Sequence, residues 1–126
     1  MIQIHNITDK DTVENLIIKF DLECSGDEKY LGIFDGENLL AFSQYLFCDE
    51  MLYIKYISFI LDDYSLYDAM MKSLFYYADL NKSKQLFLPD SFSKFSEFLD
   101  FKKVSQGYIV NLNDEQTNNK CKCRKD

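Results

Sequence analysis

Two aspartates and a serine cluster where a predicted strand meets a predicted helix. Asp62, Asp63 and Ser65 follow the apolar run 51–61 and precede the stretch 65–80, in which apolar residues recur at helical spacing. The N–H groups at the start of a helix attract anions, so such a turn is a common binding place for an anionic cofactor. The same side chains can instead cap the helix or bind a cation. All three interpretations remain open at this point.

Three tyrosines are candidates for a proton donor. Tyr53 and Tyr56 lie on the predicted strand 51–61, and Tyr108 lies on a predicted last strand, 104–112. A phenol in an opening between strands can act as a general acid, whereas a phenol in the core only completes a hydrogen bond. The pattern is compatible with both.

The cysteines and the single histidine give no clear metal site. Cys121 and Cys123 lie in a basic segment, 120–125, where neighbouring cations favour thiolates. A closed zinc site needs four ligands, and no second pair or histidine lies nearby, so we predict no metal. Zinc binding, a redox role and a tail of unimportant thiols remain alternatives. Cys24 and Cys48 are expected to be partly buried small apolar residues, and His5 a structural residue.

The elements that must position these groups follow from the hydrophobic pattern. A crossover unit is formed by strand 51–61, helix 65–80 and strand 85–88. This unit predicts that the two strands are parallel and splay apart. Before them, 30–34 and 39–48 predict a hairpin around Gly36. A first strand at 1–7 precedes a helix with the apolar stripe Val13, Leu16, Ile17 and Phe20. A short helix is expected after Pro89.

Three segments resemble the GNAT superfamily of acyl-CoA-dependent N-acyltransferases. The segment 69–78, AMMKSLFYYA, resembles the helix after the family's pyrophosphate loop. The segment 95–101, FSEFLDF, resembles a late family segment, and the segment 107–112, GYIVNL, resembles the family's closing strand. The resemblance implies an α+β fold with a central mixed, mainly antiparallel sheet and flanking helices. It predicts one GNAT-like domain, 1–112, followed by a polar Cys-x-Cys tail, 113–126, that is exposed and dispensable for the fold.

The resemblance also implies a reaction and a set of site residues. An acyl group would pass from acetyl-CoA or another acyl-CoA to a small amine or a protein amino group, with Tyr108 as the catalytic acid. Backbone groups near the end of the central strand would hold the pantetheine arm, and the following turn would receive the diphosphate. The implied cofactor-binding residues are Ser58, Phe59, Ile60, Asp63, Tyr64, Ser65, Leu66 and Tyr67.

The chain departs from the family pattern at the positions that carry chemistry. Asp62, Ser65 and Tyr67 stand where the family has Arg or Gln, Gly, and Gly or Ala, and Ser96 stands at the usual catalytic tyrosine. Side chains at glycine positions obstruct the approach of a diphosphate to the backbone, and carboxylates repel it. The alternative interpretation is therefore a catalytically inactive binding or regulatory module with a degenerate CoA loop.

Composition narrows the partners. The chain has 126 residues and a net charge of −7, which argues against nucleic acid or an anionic membrane as a partner and is compatible with basic substrates such as amines. The N-terminal residues do not have a signal-peptide pattern, and no apolar run approaches the roughly 20 residues that span a bilayer. We therefore expect a cytoplasmic protein, and the abundance of Tyr, Phe, Ile, Lys and Asn suggests a bacterial source.

Overall fold

The computed structural model describes residues 2–98 and 101–112. Seven strands, two helices and one 3₁₀ segment follow one another along this part of the chain. In chain order they are β1 Ile2–Asn6, α1 Lys10–Phe20, β2 Lys29–Asp35, β3 Asn38–Cys48, β4 Met51–Phe59, α2 Tyr64–Leu80, β5 Gln85–Pro89, the 3₁₀ segment Asp90–Phe98, β6 Lys102–Val104 and β7 Gly107–Asn111.

The strands form one sheet in the order β1-β2-β3-β4-β5-β7-β6. β4 and β5 are parallel, paired from Met51 with Gln85 to Tyr53 with Phe87, as a crossover through α2 requires. The other recorded pairs, β1–β2, β2–β3, β5–β7 and β6–β7, are antiparallel. The structure confirms the predicted α+β class, the hairpin and the parallel pair.

The chain divides into two compact units. Residues 1–46 and 54–70 form the first unit, and 47–53 with the residues from 71 onward form the second. In the first unit, the apolar stripe of α1 packs on buried residues of the strands. The cluster contains Ile7, Leu16, Tyr30 and Phe42, with Val13, Ile17, Phe20 and Tyr56 packed against it.

The second unit buries an apolar row of α2 together with its strands. Met71, Leu74 and Ala78 are buried at helical spacing. The buried strand residues are Leu52, Leu86, Leu88 and Val110. The predicted helix after Pro89 is a 3₁₀ segment interrupted at Phe92, whose backbone is not helical (φ −115°, ψ 33°).

The end of the chain differs from the sequence-based prediction. A single strand over 104–112 is wrong, because Ser105 and Gln106 form a turn between β6 and β7. Gly107 allows β7 to lie close against β5, since a Cβ there would lie 2.6 Å from Cζ of Phe87 and closer still to the carbonyl oxygen of Leu88. The predicted tail, with Cys121 and Cys123, lies outside the described residues.

We predict that Gly107→Ala destabilises the protein by about 1–3 kcal/mol or more, because the added methyl group overpacks a backbone contact. The free energy of unfolding from urea denaturation measures the effect. Ser105→Ala, in the exposed turn two residues away, is the control and should change stability by less than about 0.5 kcal/mol. Equal stability of the Gly107 variant and the wild type would contradict this role.

The central strand also deviates from strict alternation. Leu52 and Ile54 are buried, but the next buried residue is Ile57, three positions on. The alternation of buried and exposed residues is therefore interrupted at Lys55 and Tyr56. A β-bulge, which inserts one residue into a strand, interrupts the alternation in the same way. β4 ends at Phe59 rather than at Leu61, because the N–H groups of Ile60 and Leu61 both donate to the carbonyl oxygen of Leu40 (2.8 and 3.2 Å).

Candidate functional site

Asp63 caps the helix that follows the central strand. Its Oδ1 accepts hydrogen bonds from the backbone N–H and the hydroxyl of Ser65, both at 2.8 Å. Its carbonyl oxygen accepts from the N–H groups of Leu66 and Tyr67 at 3.0 and 3.2 Å. The capping interpretation of the acidic turn is therefore confirmed for Asp63.

The cap also fixes the charge of the turn. Hydrogen bonds from the Ser65 hydroxyl, and then from the Ser65 backbone, lower the pKa of Asp63 below its ordinary value. The carboxylate is thus ionised at neutral pH and lies at the N-terminus of α2, where the helix dipole favours an anion. A negative side chain of the protein already occupies this position.

The aromatic residues of the turn pack on one another. The ring of Tyr67 meets that of Phe59 edge-on, with centroids 4.6 Å apart, and Tyr64 lies 6.4 Å from Tyr67. Tyr64 is 71% exposed, whereas the side chain of Leu66 is buried in the core. Leu66 can therefore offer a ligand only its backbone, and the amide of Ile60 is already bonded to Leu40.

A diphosphate cannot accept a hydrogen bond from the Ser65 N–H while that group donates to Asp63. The predicted cofactor-binding residues Ser58, Phe59, Ile60 and 63–67 do lie together in the first unit. However, the anion position at the start of α2 is filled by Asp63, and the neighbouring Asp62 adds a second exposed carboxylate. The structure thus brings the predicted residues together, with the Asp63 carboxylate at the position where a diphosphate would bind.

Tyr108 lies in the second unit, on β7. It pairs with Leu88 of β5 and with Lys103 of β6, and its side chain is half-buried. The ammonium group of Lys103 lies 5.2 Å from the centroid of the Tyr108 ring and forms an ion pair with Asp90. Ser96, by contrast, donates its hydroxyl to the carbonyl oxygen of Ser93 at 2.7 Å, so it stabilises the 3₁₀ segment.

The structure reveals a buried ion pair that the sequence did not predict. Lys55, which interrupts the apolar pattern of β4, donates to Glu28 Oε2 at 2.5 Å. The Glu28 side chain is 0% exposed and that of Lys55 21%. Glu28 also accepts hydrogen bonds from the backbone N–H groups of Ser25 and Gly26 at 2.9 and 3.0 Å. The pair therefore holds the connection between α1 and β2 onto the central strand.

Glu28 is ionised because of these donors. Burial alone would raise its pKa, but hydrogen bonds from Lys55, from the Ser25 N–H and from the Ser25 hydroxyl hold the pKa far below its ordinary value. The connection that it anchors, 21–28, contains no helix.

A second hydrogen-bonded group lies beside the ion pair. Gln44, a buried residue of β3, donates from Nε2 to the carbonyl oxygen of Glu23 at 2.9 Å and to the hydroxyl of Tyr30 at 3.0 Å. The Tyr30 hydroxyl in turn lies 3.9 Å from Sγ of Cys24, and burial raises the pKa of Tyr30. Lys55 also donates to the Glu23 carbonyl, at 3.3 Å.

These polar groups border a cavity, here called the Lys55 pocket. It has a volume of about 320 Å³. Phe20, Leu22 and Tyr56 line it with apolar surface, and the polar lining consists of Asp21, Glu23, Gln44 and Lys55. A larger cavity of about 530 Å³ lies against α1 and includes Glu28 and Tyr30 in its lining. Each hydrogen-bonded pair, Glu28 with Lys55 and Tyr30 with Gln44, thus has one member in each cavity.

The remaining candidates have structural surroundings. His5 stacks on Phe34, with ring centroids 4.8 Å apart. Cys24 and Cys48 are exposed, so the expected partial burial is wrong, and the charge of Asp49 raises the pKa of Cys48, which keeps its thiol protonated. Within residues 2–98 and 101–112, no three potential metal ligands come together, and no helix is long and apolar enough to cross a membrane.

The fold is shared with solved N-acetyltransferases. The ribosomal-protein-S18-alanine N-acetyltransferase of Escherichia coli superposes with a TM-score of 0.69 at 11% identity, over 89% of this chain and 94% of that one. An N-acetyltransferase of Staphylococcus aureus Mu50 gives 0.66 at 18% identity, over 90% and 99%.

A Bacillus subtilis acetyltransferase in complex with CoA gives a TM-score of 0.60 at 9% identity, over 83% of this chain and 79% of that one. No family model and no curated protein sequence matches the chain. The similarity is therefore one of fold.

Proposed function

From the GNAT fold of this chain, we propose that it is a divergent N-acyltransferase that takes an acyl group from acetyl-CoA or another acyl-CoA and transfers it to an amine. The observation that carries the proposal is the parallel β4–β5 pair joined through α2. Its recorded register ends at Tyr53 and Phe87, although β4 continues for six residues to Phe59. The part of β4 beyond its pairing with β5 includes Ser58 and Phe59, the positions predicted to border a pantetheine arm.

The chemistry needs little from the protein beyond positioning and proton transfer. A thioester supplies the activated acyl group: the amine nitrogen forms a bond to the carbonyl carbon, and the carbon–sulfur bond breaks with the electron pair on sulfur. The proposed role of Tyr108 is to protonate that sulfur, while the proton that the attacking amine loses passes to solvent, from which the phenol is restored. The acceptor is a small amine or a protein amino group, and nucleic acids and membranes are not proposed partners. We propose a cytoplasmic location.

The capped turn supports a second candidate function. Because Asp63 occupies the anion position of α2, the chain could instead be a GNAT-fold binding or regulatory module that has lost catalysis. The two candidates differ in whether CoA binds and whether an amine is acylated. In the first candidate CoA binds, although more weakly than at an open helix N-terminus, and in the second it does not.

Thermal shift with acetyl-CoA and with free CoA tests the first requirement. A ligand present at about 100 times its dissociation constant stabilises a protein by about 2.7 kcal/mol. Release of free thiol from acetyl-CoA, followed with a panel of amines, tests the second. Saturable stabilisation together with amine-dependent thiol release supports the acyltransferase. Absence of both, up to millimolar CoA, would favour the inactive module.

We predict that Tyr108→Phe lowers the rate of acyl transfer by about 10²–10⁴-fold, the usual contribution of a general acid. Its effect on CoA affinity should be small, because the ring and its contact with Lys103 are kept. The measurement is kcat with a good amine acceptor, and recovery at higher pH is not expected. Tyr53→Phe is the matched control, since Tyr53 stacks on Phe87 through its ring. Equal rates for the two variants would remove Tyr108 from the mechanism.

A further inference from the structure

We propose that the Lys55 pocket binds an α-amino carbonyl group, the ammonium and neighbouring carbonyl found at the N-terminus of a peptide. This inference rests on the proposed function, because it specifies the class of acceptor amine. It is drawn from the first unit alone, in which the pocket, the ion pair and the connection 21–28 all lie. The proposed function requires only that the acceptor is an amine. This inference also requires a carbonyl group next to the amine nitrogen.

Two polar groups of the pocket have unused hydrogen-bonding capacity. The side chain of Gln44 is 1% exposed, and both of its recorded side-chain hydrogen bonds come from Nε2, so Oε1 accepts none from the described residues. Of the three N–H groups of Lys55, two are directed to Glu28 and to the Glu23 carbonyl. The third has no acceptor within the described part of the chain. Gln44 Oε1 is not one of the fully buried side-chain atoms that lack a partner, so water reaches it, and a ligand donor there would take the place of that water.

These two groups are close to each other. Gln44 Nε2 and Lys55 Nζ converge on the same carbonyl oxygen of Glu23, at 2.9 and 3.3 Å. A ligand that satisfies both therefore needs a donor and an acceptor only a few bonds apart. An ammonium group that donates to Gln44 Oε1, with a carbonyl on the adjacent carbon that accepts from Lys55, meets this requirement.

The charges of the pocket favour a cation. Asp21 and Glu23 contribute two carboxylates to its lining, while the charge of Lys55 is balanced by the buried Glu28. A peptide N-terminus brings a positive charge and a neutral carbonyl. A free amino acid brings a carboxylate as well, which the two acidic residues would repel. Charge therefore favours the peptide over the free amino acid.

The apolar lining and the volume set the size of the ligand. The rings of Phe20 and Tyr56 lie 6.0 Å apart and, with Leu22, offer an apolar surface to the first side chain of a peptide. A volume of about 320 Å³ accommodates one residue and the peptide bond that follows it.

Binding of small probes without any CoA tests the inference separately from acyl transfer. Glycyl-glycinamide is titrated into ¹⁵N-labelled protein, and the side-chain amide signals of Gln44 report on the pocket. The comparison probes are N-acetyl-glycyl-glycinamide, which lacks the ammonium, ethylamine, which lacks the carbonyl, and free glycine. We expect saturable shifts of the Gln44 signals with glycyl-glycinamide and affinities at least about 10-fold weaker for the other three.

Substitution of the two acidic residues completes the test. Asp21→Asn combined with Glu23→Gln should weaken binding of glycyl-glycinamide by about 10-fold at low salt, because two carboxylates are removed. Asn tolerates the left-handed backbone of residue 21 (φ 54°), so the fold should be kept. Glu37→Gln, in the exposed hairpin turn and outside the pocket lining, is the control for loss of a surface carboxylate and should leave affinity unchanged.

Three results would overturn the inference: equal binding of the acetylated probe, tighter binding of free glycine, or no effect of the double substitution. If the probe binds while acetyl-CoA supports no transfer, the pocket assignment stands and the proposed acyltransferase function fails.

Discussion

Replacing Asp62 with Arg, and both Ser65 and Tyr67 with Gly, is expected to tighten CoA binding by about 10- to 100-fold. The introduced guanidinium adds a charge-assisted hydrogen bond to phosphate, which contributes about 1.5–3 kcal/mol. The two glycines remove the Ser65 hydroxyl that Asp63 holds and the Tyr67 ring beside the turn, and so open the backbone to the diphosphate. Isothermal titration with CoA measures the change.

Asp63→Asn separates charge from shape in the same turn. The amide oxygen can still cap α2, but the negative charge at the helix N-terminus is lost. We expect its CoA affinity to lie between those of the wild type and the triple variant. Thermal stability must be checked for each variant, because a glycine within a helix costs about 1 kcal/mol. Micromolar binding by the wild type, or no gain in the triple variant, would show that the turn does not limit binding.

The second large effect is expected at the buried ion pair. Lys55→Met should lower the free energy of unfolding by about 3–5 kcal/mol, because it leaves the fully buried Glu28 carboxylate without its cation. The measurement is urea denaturation at pH 7. Restoring neutrality with Glu28→Gln in the same chain should recover part of the loss, and the double-mutant cycle gives the coupling energy.

Lys84→Met provides a matched control. Lys84 pairs with Glu50 at 3.3 Å, but both side chains are more than half exposed. Such surface pairs contribute at most about 1 kcal/mol, since water and salt screen them. Similar losses at Lys55 and Lys84 would contradict the burial argument.

The pH dependence follows from the direction of the Glu28 pKa shift. The folded-state pKa lies below the ordinary value of 4.5, so the ion pair contributes its full stability above about pH 4.5 and loses it as the pH falls toward the folded-state pKa. The stability difference between the wild type and Lys55→Met should therefore be largest near pH 7, where Glu28 is ionised in the wild type. It should shrink as the pH is lowered below about 4. A difference that grows on acidification would be inconsistent with a depressed pKa.

Periodicity predicted the elements whose apolar residues recur regularly. The row on α2 and the turn at Gly36 are local signals, and both the helix and the hairpin are confirmed. The division of 102–111 into β6 and β7 was missed, because Ser105 and Gln106 are ordinary residues in a short apolar segment. The turn is held by tertiary contacts, among them the hydrogen bond from the Asp90 N–H to the Gln106 carbonyl oxygen at 3.2 Å, and these are not visible in the sequence.

The candidate site was predictable only in part. Asp63 was correctly placed as a cap because capping is local. The partners of Lys55 were not predictable, since Glu28 is 27 positions away and nothing in a single sequence relates them. A lysine within an otherwise apolar strand was nevertheless a signal, because a buried ammonium requires a partner. Gln44, in the apolar strand β3, could have been noticed for the same reason.

β6 also has a consequence for the behaviour of the protein in solution. β6 is an edge strand of the sheet and is only three residues long. Two of its residues are the exposed lysines Lys102 and Lys103. A short, cationic edge strand is a poor template for a strand from another molecule, because approaching copies would bring like charges together. This edge of the sheet is therefore protected from pairing with a strand of another molecule.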